Sequence, residues 1–135
     1  MPICYQVSPC RTSPAFGPEP DAMSKTLFEK ICDREIPADI VYEDELCVAF
    51  RDIHPQAPVH IQLVPRKPIT MLSNAEASDQ AVLGHLLLTA PKIAAAEGYP
   101  DAFRLAINNG AAVGQSVFHL HLHILAGRPF KWPPG

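Results

Sequence analysis

The sequence predicts an α+β fold: a five-stranded, mostly antiparallel sheet with two helices. Three observations carry this expectation. One long segment places apolar residues at 3.6-residue spacing, five short runs are rich in β-branched and aromatic residues, and the order α-β-β-β-α-β-β contains no repeated βαβ unit. Strands joined by short connections rather than by crossover helices pair antiparallel.

The elements follow in order. Residues 1–22 hold five prolines and no hydrophobic periodicity, which reads as a flexible arm preceding a single domain at 23–135. Thr26 with Glu29 three residues on is a capping-box pattern, and Leu27, Phe28 and Ile31 then give a short helix an apolar side up to about Pro37. Ile40 to Arg51, interrupted by Glu43-Asp44-Glu45, reads as two strands and a turn, and Val59 to Val64, between prolines, as a third. From Ser78 a longer helix carries Val82, Leu83, Leu86, Leu87, Ala90, Ile93 and Ala94 on its apolar side; Gly98 is placed to end it and Pro91 to kink it. The last two strands are expected at Ala102–Asn108 and Val117–Ala126.

Composition narrows the function. The chain is 47% hydrophobic and 19% charged, ordinary for one globular domain of 135 residues. A net charge of −3 lacks the basic footprint that binding to long nucleic acid requires. The four cysteines form no C-x-x-C pair, no apolar run is long enough to span a bilayer, and the N-terminus has no secretory pattern, so a reduced, cytoplasmic protein is expected. The absence of acids before Glu19 is a weak transit-peptide feature, offset by Arg11 being the only base in the arm.

The informative segment is Gly114-Gln115-Ser116-Val117-Phe118-His119-Leu120-His121-Leu122-His123-Ile124. In an extended chain alternate side chains share a face, which groups His119, His121 and His123 opposite Leu120, Leu122 and Ile124. Three imidazoles lack the apolar bulk of a packed core, and each has two ring nitrogens to satisfy. Two chemistries use such a row. A metal site is one, since His-x-His on a strand can place two ligands on one ion; nucleophilic attack by one imidazole on phosphorus, its neighbours fixing its tautomer, is the other. The polar loop Asn108, Gly110, Gly114, Gln115 and Ser116 favours phosphorus, because amides and a hydroxyl there can meet phosphate oxygens; it is not a Walker A sequence.

His119-Leu-His121-Leu-His123-Ile-Leu resembles the His-x-His-x-His-x-x motif of the histidine triad (HIT) superfamily. Phe28-Glu-Lys-Ile31, Arg34-Glu-Ile-Pro37, Ala49-Phe-Arg-Asp-Ile53, Pro55-Gln-Ala-Pro58 and Trp132-Pro-Pro-Gly135 are similar to blocks of its Hint branch, the histidine triad nucleotide-binding proteins. The likeness spans about residues 24–135. It implies a HIT-like fold and a purine nucleoside phosphoramidase acting on adenosine phosphoramidate or related aminoacyl adenylates. His121 is then the nucleophile, forming a nucleotidyl-histidine intermediate. His123, Ser116 and the amides of Gly114, Gln115 and Ser116 hold phosphate oxygens, while His119 and His60 orient the nucleophile. Asp52 receives the ribose hydroxyls, Phe28, Ile31, Phe50 and Ile53 wall the base pocket, and Asn108 lies on the phosphate or ribose side. No cofactor is implied, and without the Cys-x-x-Cys of zinc-holding relatives no structural metal. His54 and His85 match no role.

Ala111-Ala-Val113 and Pro129-Phe-Lys131 depart from the pattern, where contacts to the leaving group and specificity are set. Hydrolysis of dinucleoside polyphosphates and a regulatory nucleotide-binding scaffold are the alternative functions; the terminal Trp-Pro-Pro-Gly argues against the first and the retained nucleophile against the second. A homodimer is expected on two grounds. Ala81, Gly84, Leu88 and Ala95 form a second apolar strip on the long helix, where a charged face would be usual. The resemblance implies a dimer with one continuous ten-stranded sheet, Trp132 lying near the partner's site.

Overall fold

The computed structural model describes residues 25–135; the expected arm at 1–22 and the domain start at 23 lie outside the described residues. Helix α1 spans Leu27–Cys32 and opens with the expected capping box: Thr26 Oγ1 accepts from the Glu29 amide at 3.0 Å, and Glu29 Oε1 accepts from the Thr26 amide at 3.4 Å. It ends earlier than Pro37. Arg34 takes a left-handed φ of 59°, and the amides of Glu35 and Ile36 fold back on the Lys30 carbonyl, which closes the helix.

Strands β1 (Ile40–Glu43) and β2 (Cys47–Arg51) are joined where expected, at a turn held by Asp44 Oδ1, which accepts from the amides of Leu46 and Cys47. β3 is Val59–Pro65 and α2 is Gln80–Ala96, closed by Gly98 at φ 97°. Pro91 lies inside α2, which continues through it. The carbonyl that loses its helical partner belongs to Leu87, on the half-exposed side of the helix. β4 (Arg104–Ala106) and β5 (Leu122–Ala126) are both shorter than the sequence suggested.

The five strands lie in the order β1-β2-β3-β5-β4, every neighbouring pair antiparallel. Alternation sorts the side chains into two layers. Ala49, Ile61, Leu63, Leu122 and Ile124 pack against Leu86, Ala90 and Ile93 of α2, while Val48, Phe50 and Val64 on the opposite face pack against Phe28 and Ile31 of α1. Helix α1 is only six residues long, so it covers one part of its face. The remainder of that face, with His60, Gln62 and His123, is left for the site. Among the described residues no helix is long and apolar enough to cross a membrane.

Thr26 has a second duty, because its hydroxyl also reaches His119 Nδ1 at 2.8 Å. Thr26→Ala is expected to lower stability by about 1 kcal/mol or somewhat more, the usual loss for an N-cap. Urea unfolding checks this: the midpoint should fall at unchanged slope, and Thr26→Ser should restore most of it.

Candidate active site

The segment from Val117 was expected to be strand, but regular pairing begins only at Leu122. Its backbone groups are engaged elsewhere: the Leu120 amide donates to the Ile69 carbonyl at 2.6 Å, and the His119 carbonyl accepts from the His121 ring. The alternation nevertheless persists. Leu120 and Leu122 turn toward α2, and the three imidazoles lie on the α1 side.

Their partners decide what each imidazole can do. His119, fully buried, donates Nε2–H to the Pro65 carbonyl at 2.7 Å, so its Nδ1 is the acceptor for the Thr26 hydroxyl. Burial pushes its pKa down, against the Pro65 carbonyl and Glu29, and the ring does not reach the cleft. Its carbonyl takes Nδ1–H of His121 at 2.8 Å, which leaves the lone pair of His121 on Nε2. The His121 ring stands edge-on to Phe28 and to His123, with centroids 5.0 Å away in each case.

A second chain of hydrogen bonds sets His123. The Gln56 amide donates to His60 Nδ1 at 3.0 Å, so the only proton of a neutral His60 is on Nε2, which meets His123 Nδ1 at 2.9 Å. His123 Nδ1 is therefore an acceptor and its Nε2 carries the proton. Burial, helped by His121 and His60, pushes His123 down to about 4 against the pull of Asp52. Burial also lowers His60, with Asp52 opposing. Around neutral pH both rings are uncharged.

Asp52 follows β2. Burial works to raise its pKa, but hydrogen bonds from the His54 amide (2.8 Å) and Gln62 Nε2 (2.6 Å), with the nearby His60 and His123, hold it below the usual carboxylate range. It stays an anion, and its acceptor capacity is retained.

These groups border one cleft of about 700 Å³, within the range for small-molecule sites. Phe28, Ile31 and Phe50 supply apolar wall; each is also core, so the two roles weighed in the sequence are combined. Ile53 is 86% exposed and forms rim rather than wall. Asp52, Asn108, Gly114, Ser116, His121 and His123 open onto the cleft, and His60 stands behind His123.

The loop corrects one expectation. The Gly114 amide donates to the Ala111 carbonyl and the Gln115 amide to the Gly110 carbonyl, both at 3.1 Å, so neither is free for a phosphate. Gln115 is buried, and its side chain ties together Gly110, Thr70 and Val117 instead of lining the cleft. Gly114 adopts φ 104°, which a side chain at this position would strain. Ser116 is exposed and borders the cleft.

Sequence reasoning missed three participants: Thr26 through its hydroxyl, Gln56 through its backbone amide, and Gln62. Only Gln62 left a readable signal, a second polar residue on the same face of β3 as His60, in a strand whose other residues are apolar. Among the described residues two groups of ligating side chains could hold a metal ion. Asp52, His60 and His123 are one; Asp44, Cys47 and His85 are the other. In the second, Asp44 already accepts from two amides, Tyr42 and His85, and burial, with Asp44 beside it, pushes the Cys47 thiol up to about 12, favouring the protonated form.

Comparison with known proteins agrees with this geometry. The HIT domain family model matches residues 33–130, and the chain belongs to that family. It is 66% identical over 110 residues to an uncharacterized HIT-like protein of Synechocystis sp., covering 82% of this chain and 96% of that one. It is 48% identical over 114 residues to a 14 kDa zinc-binding protein of Zea mays, covering 83% and 89%. Among solved structures, a HIT family hydrolase from Legionella pneumophila superposes with a TM-score of 0.80 at 45% identity, covering 82% of this chain and all of that one.

Proposed function

We propose that this protein is a hydrolase of purine nucleoside 5'-phosphoramidates that works through a nucleotidyl-histidine intermediate. The observation that carries the reading is the pairing of His121, whose Nε2 lone pair is free, with His123, whose Nε2 bears a proton, on the border of one cleft. The first supplies an electron pair to phosphorus; the second supplies a hydrogen bond to a phosphate oxygen that gains charge as the bond forms. The His121 Nε2–P bond forms as the P–N bond breaks, and the amine departs with a proton from the site. Water then attacks phosphorus, breaks the His121–P bond and gives up a proton, so that amine and nucleoside monophosphate are the net products. Asp52 suits ribose hydroxyls, and Phe28, Ile31 and Phe50 suit a flat apolar base. The Legionella relative's description as a hydrolase supports the reaction class.

Intact-mass measurement on protein quenched during turnover tests the reading. An adduct of one nucleoside monophosphate, mapped to His121, is expected; turnover without any adduct would overturn it. Turnover that persists after exhaustive chelation would separate this route from a metal hydrolase using Asp52, His60 and His123.

The working unit on this proposal is a homodimer. Leu88 is 73% exposed and Trp132 84% exposed, and Leu72, Leu87 and Ile107 border a second, apolar hollow beside α2. β4 is an edge strand of three residues, open to pairing with another copy. Sedimentation at micromolar concentration should give twice the 14.7 kDa chain mass, and Leu88→Glu should shift it toward monomer. A monomer mass for the unaltered protein would refute the association.

A further inference from the structure

Gln62, in the middle of β3, stands on the floor of the cleft between its cross-strand neighbours Phe50 of β2 and His123 of β5. A carboxylate only accepts, so the end of the Gln62 amide that faces Asp52 Oδ2 at 2.6 Å is Nε2. The other end, Oε1, is buried without a hydrogen-bond partner. A buried acceptor left unpaired is unfavourable, and an apolar side chain of similar size would avoid that loss in a strand whose neighbouring positions are buried. The compensation lies at the donor end.

His60 has one proton to give. Its Nδ1 accepts from the Gln56 amide, and its Nε2–H faces two acceptors, His123 Nδ1 at 2.9 Å and Asp52 Oδ2 at 3.4 Å. A carboxylate is the stronger acceptor of the two, since its hydrogen bonds are charge-assisted. Gln62 already donates to that same oxygen, and at the shorter distance. We propose that Gln62 is a positioning residue that occupies Asp52 Oδ2, thereby directing the single N–H of His60 onto His123 and keeping the His123 proton on Nε2. Without it, His60 Nε2–H turns to the carboxylate and His123 Nδ1 loses its donor, so the proton of His123 is no longer held on Nε2 and the Nδ1–H form becomes accessible. In that form His123 presents a lone pair instead of a donor.

The consequence for turnover rests on the proposed role of His123 as a donor to phosphate; the proton placement does not. Nitrogen-15 NMR of histidine-labelled protein without ligand reads the tautomers directly. In the unaltered protein His123 should be the Nε2–H form. In Gln62→Leu the Nδ1–H form should become populated at His123 while His119 and His121 keep theirs. Gln62→Met, which keeps the length of the side chain but offers no N–H, should behave alike and serves if the leucine variant does not fold. Turnover of a nucleoside phosphoramidate should fall about 10- to 100-fold in kcat, the usual loss for an outer partner of a working histidine, with a smaller change in KM. An unchanged His123 tautomer in a folded variant overturns the proposal, whether or not activity falls. A tautomer shift in a protein that never turns over phosphoramidates would uphold it and overturn the reaction instead.

Discussion

His121→Ala should abolish phosphoramidate hydrolysis, slowing turnover on the order of 10⁴-fold or more, while a nucleoside monophosphate still binds. The magnitude follows from what is removed. Losing general acid-base help costs about 10²- to 10⁴-fold, whereas loss of the nucleophile closes the covalent route altogether. Binding persists because the apolar wall, Asp52 and His123 come from other elements, and the His123 tautomer is held from His60 rather than from His121. His119→Ala should be milder in chemistry: its ring is out of the cleft, and the group that orients His121 is its backbone carbonyl, which alanine keeps. Ser116→Ala should also be milder. Single-turnover rates and nucleotide titrations of the three variants check this ordering; equal residual rates would remove His121 from its role.

Asp52→Ala should weaken a ribonucleoside monophosphate about 10- to 100-fold, the scale of hydrogen bonds to a charged acceptor, and its 2',3'-dideoxy counterpart much less. The carboxylate suits that task because its depressed pKa keeps it ionised. The sign is definite: the acceptor is fully present above the ordinary carboxylate range and is lost only as pH falls through the lower, folded-state value. Discrimination between the two sugars should therefore hold from neutral pH down through the ordinary carboxylate range. Titrating both ligands against both proteins decides the matter, and equal losses would place Asp52 away from the ribose. Removing Asp52 also releases Gln62 Nε2 and ends the competition for His60, so His123 should keep its tautomer in this variant, unlike in Gln62→Leu.

Much of this was legible in the residues because it depends on local patterns. Thr26 with Glu29 starts α1 through neighbouring hydrogen bonds, and apolar residues at 3.6 spacing make α2. Strict alternation put the histidines opposite Leu120 and Leu122 even though pairing there starts late. Contacts that depend on how the backbone folds back, near or far in sequence, were beyond such reading. The Pro65 carbonyl and Thr26 hydroxyl meet His119, the Gln56 amide meets His60, and Gln62 meets Asp52.

The sequence by itself therefore determined which elements form and which side chains can carry chemistry, since capping, periodicity and imidazole chemistry are properties of short stretches. Only the tertiary structure decided where each proton resides. A histidine tautomer depends on its ring neighbours: for His121 and His60 these lie two and four residues away, in turns of the backbone that no side-chain pattern announces, while for His119 and His123 they come from distant parts of the chain. For the same reason the loop amides of Gly114 and Gln115, which looked free in the sequence, are engaged within their own turn, and Gln62, an unremarked residue on a strand, sits between the carboxylate and the imidazoles.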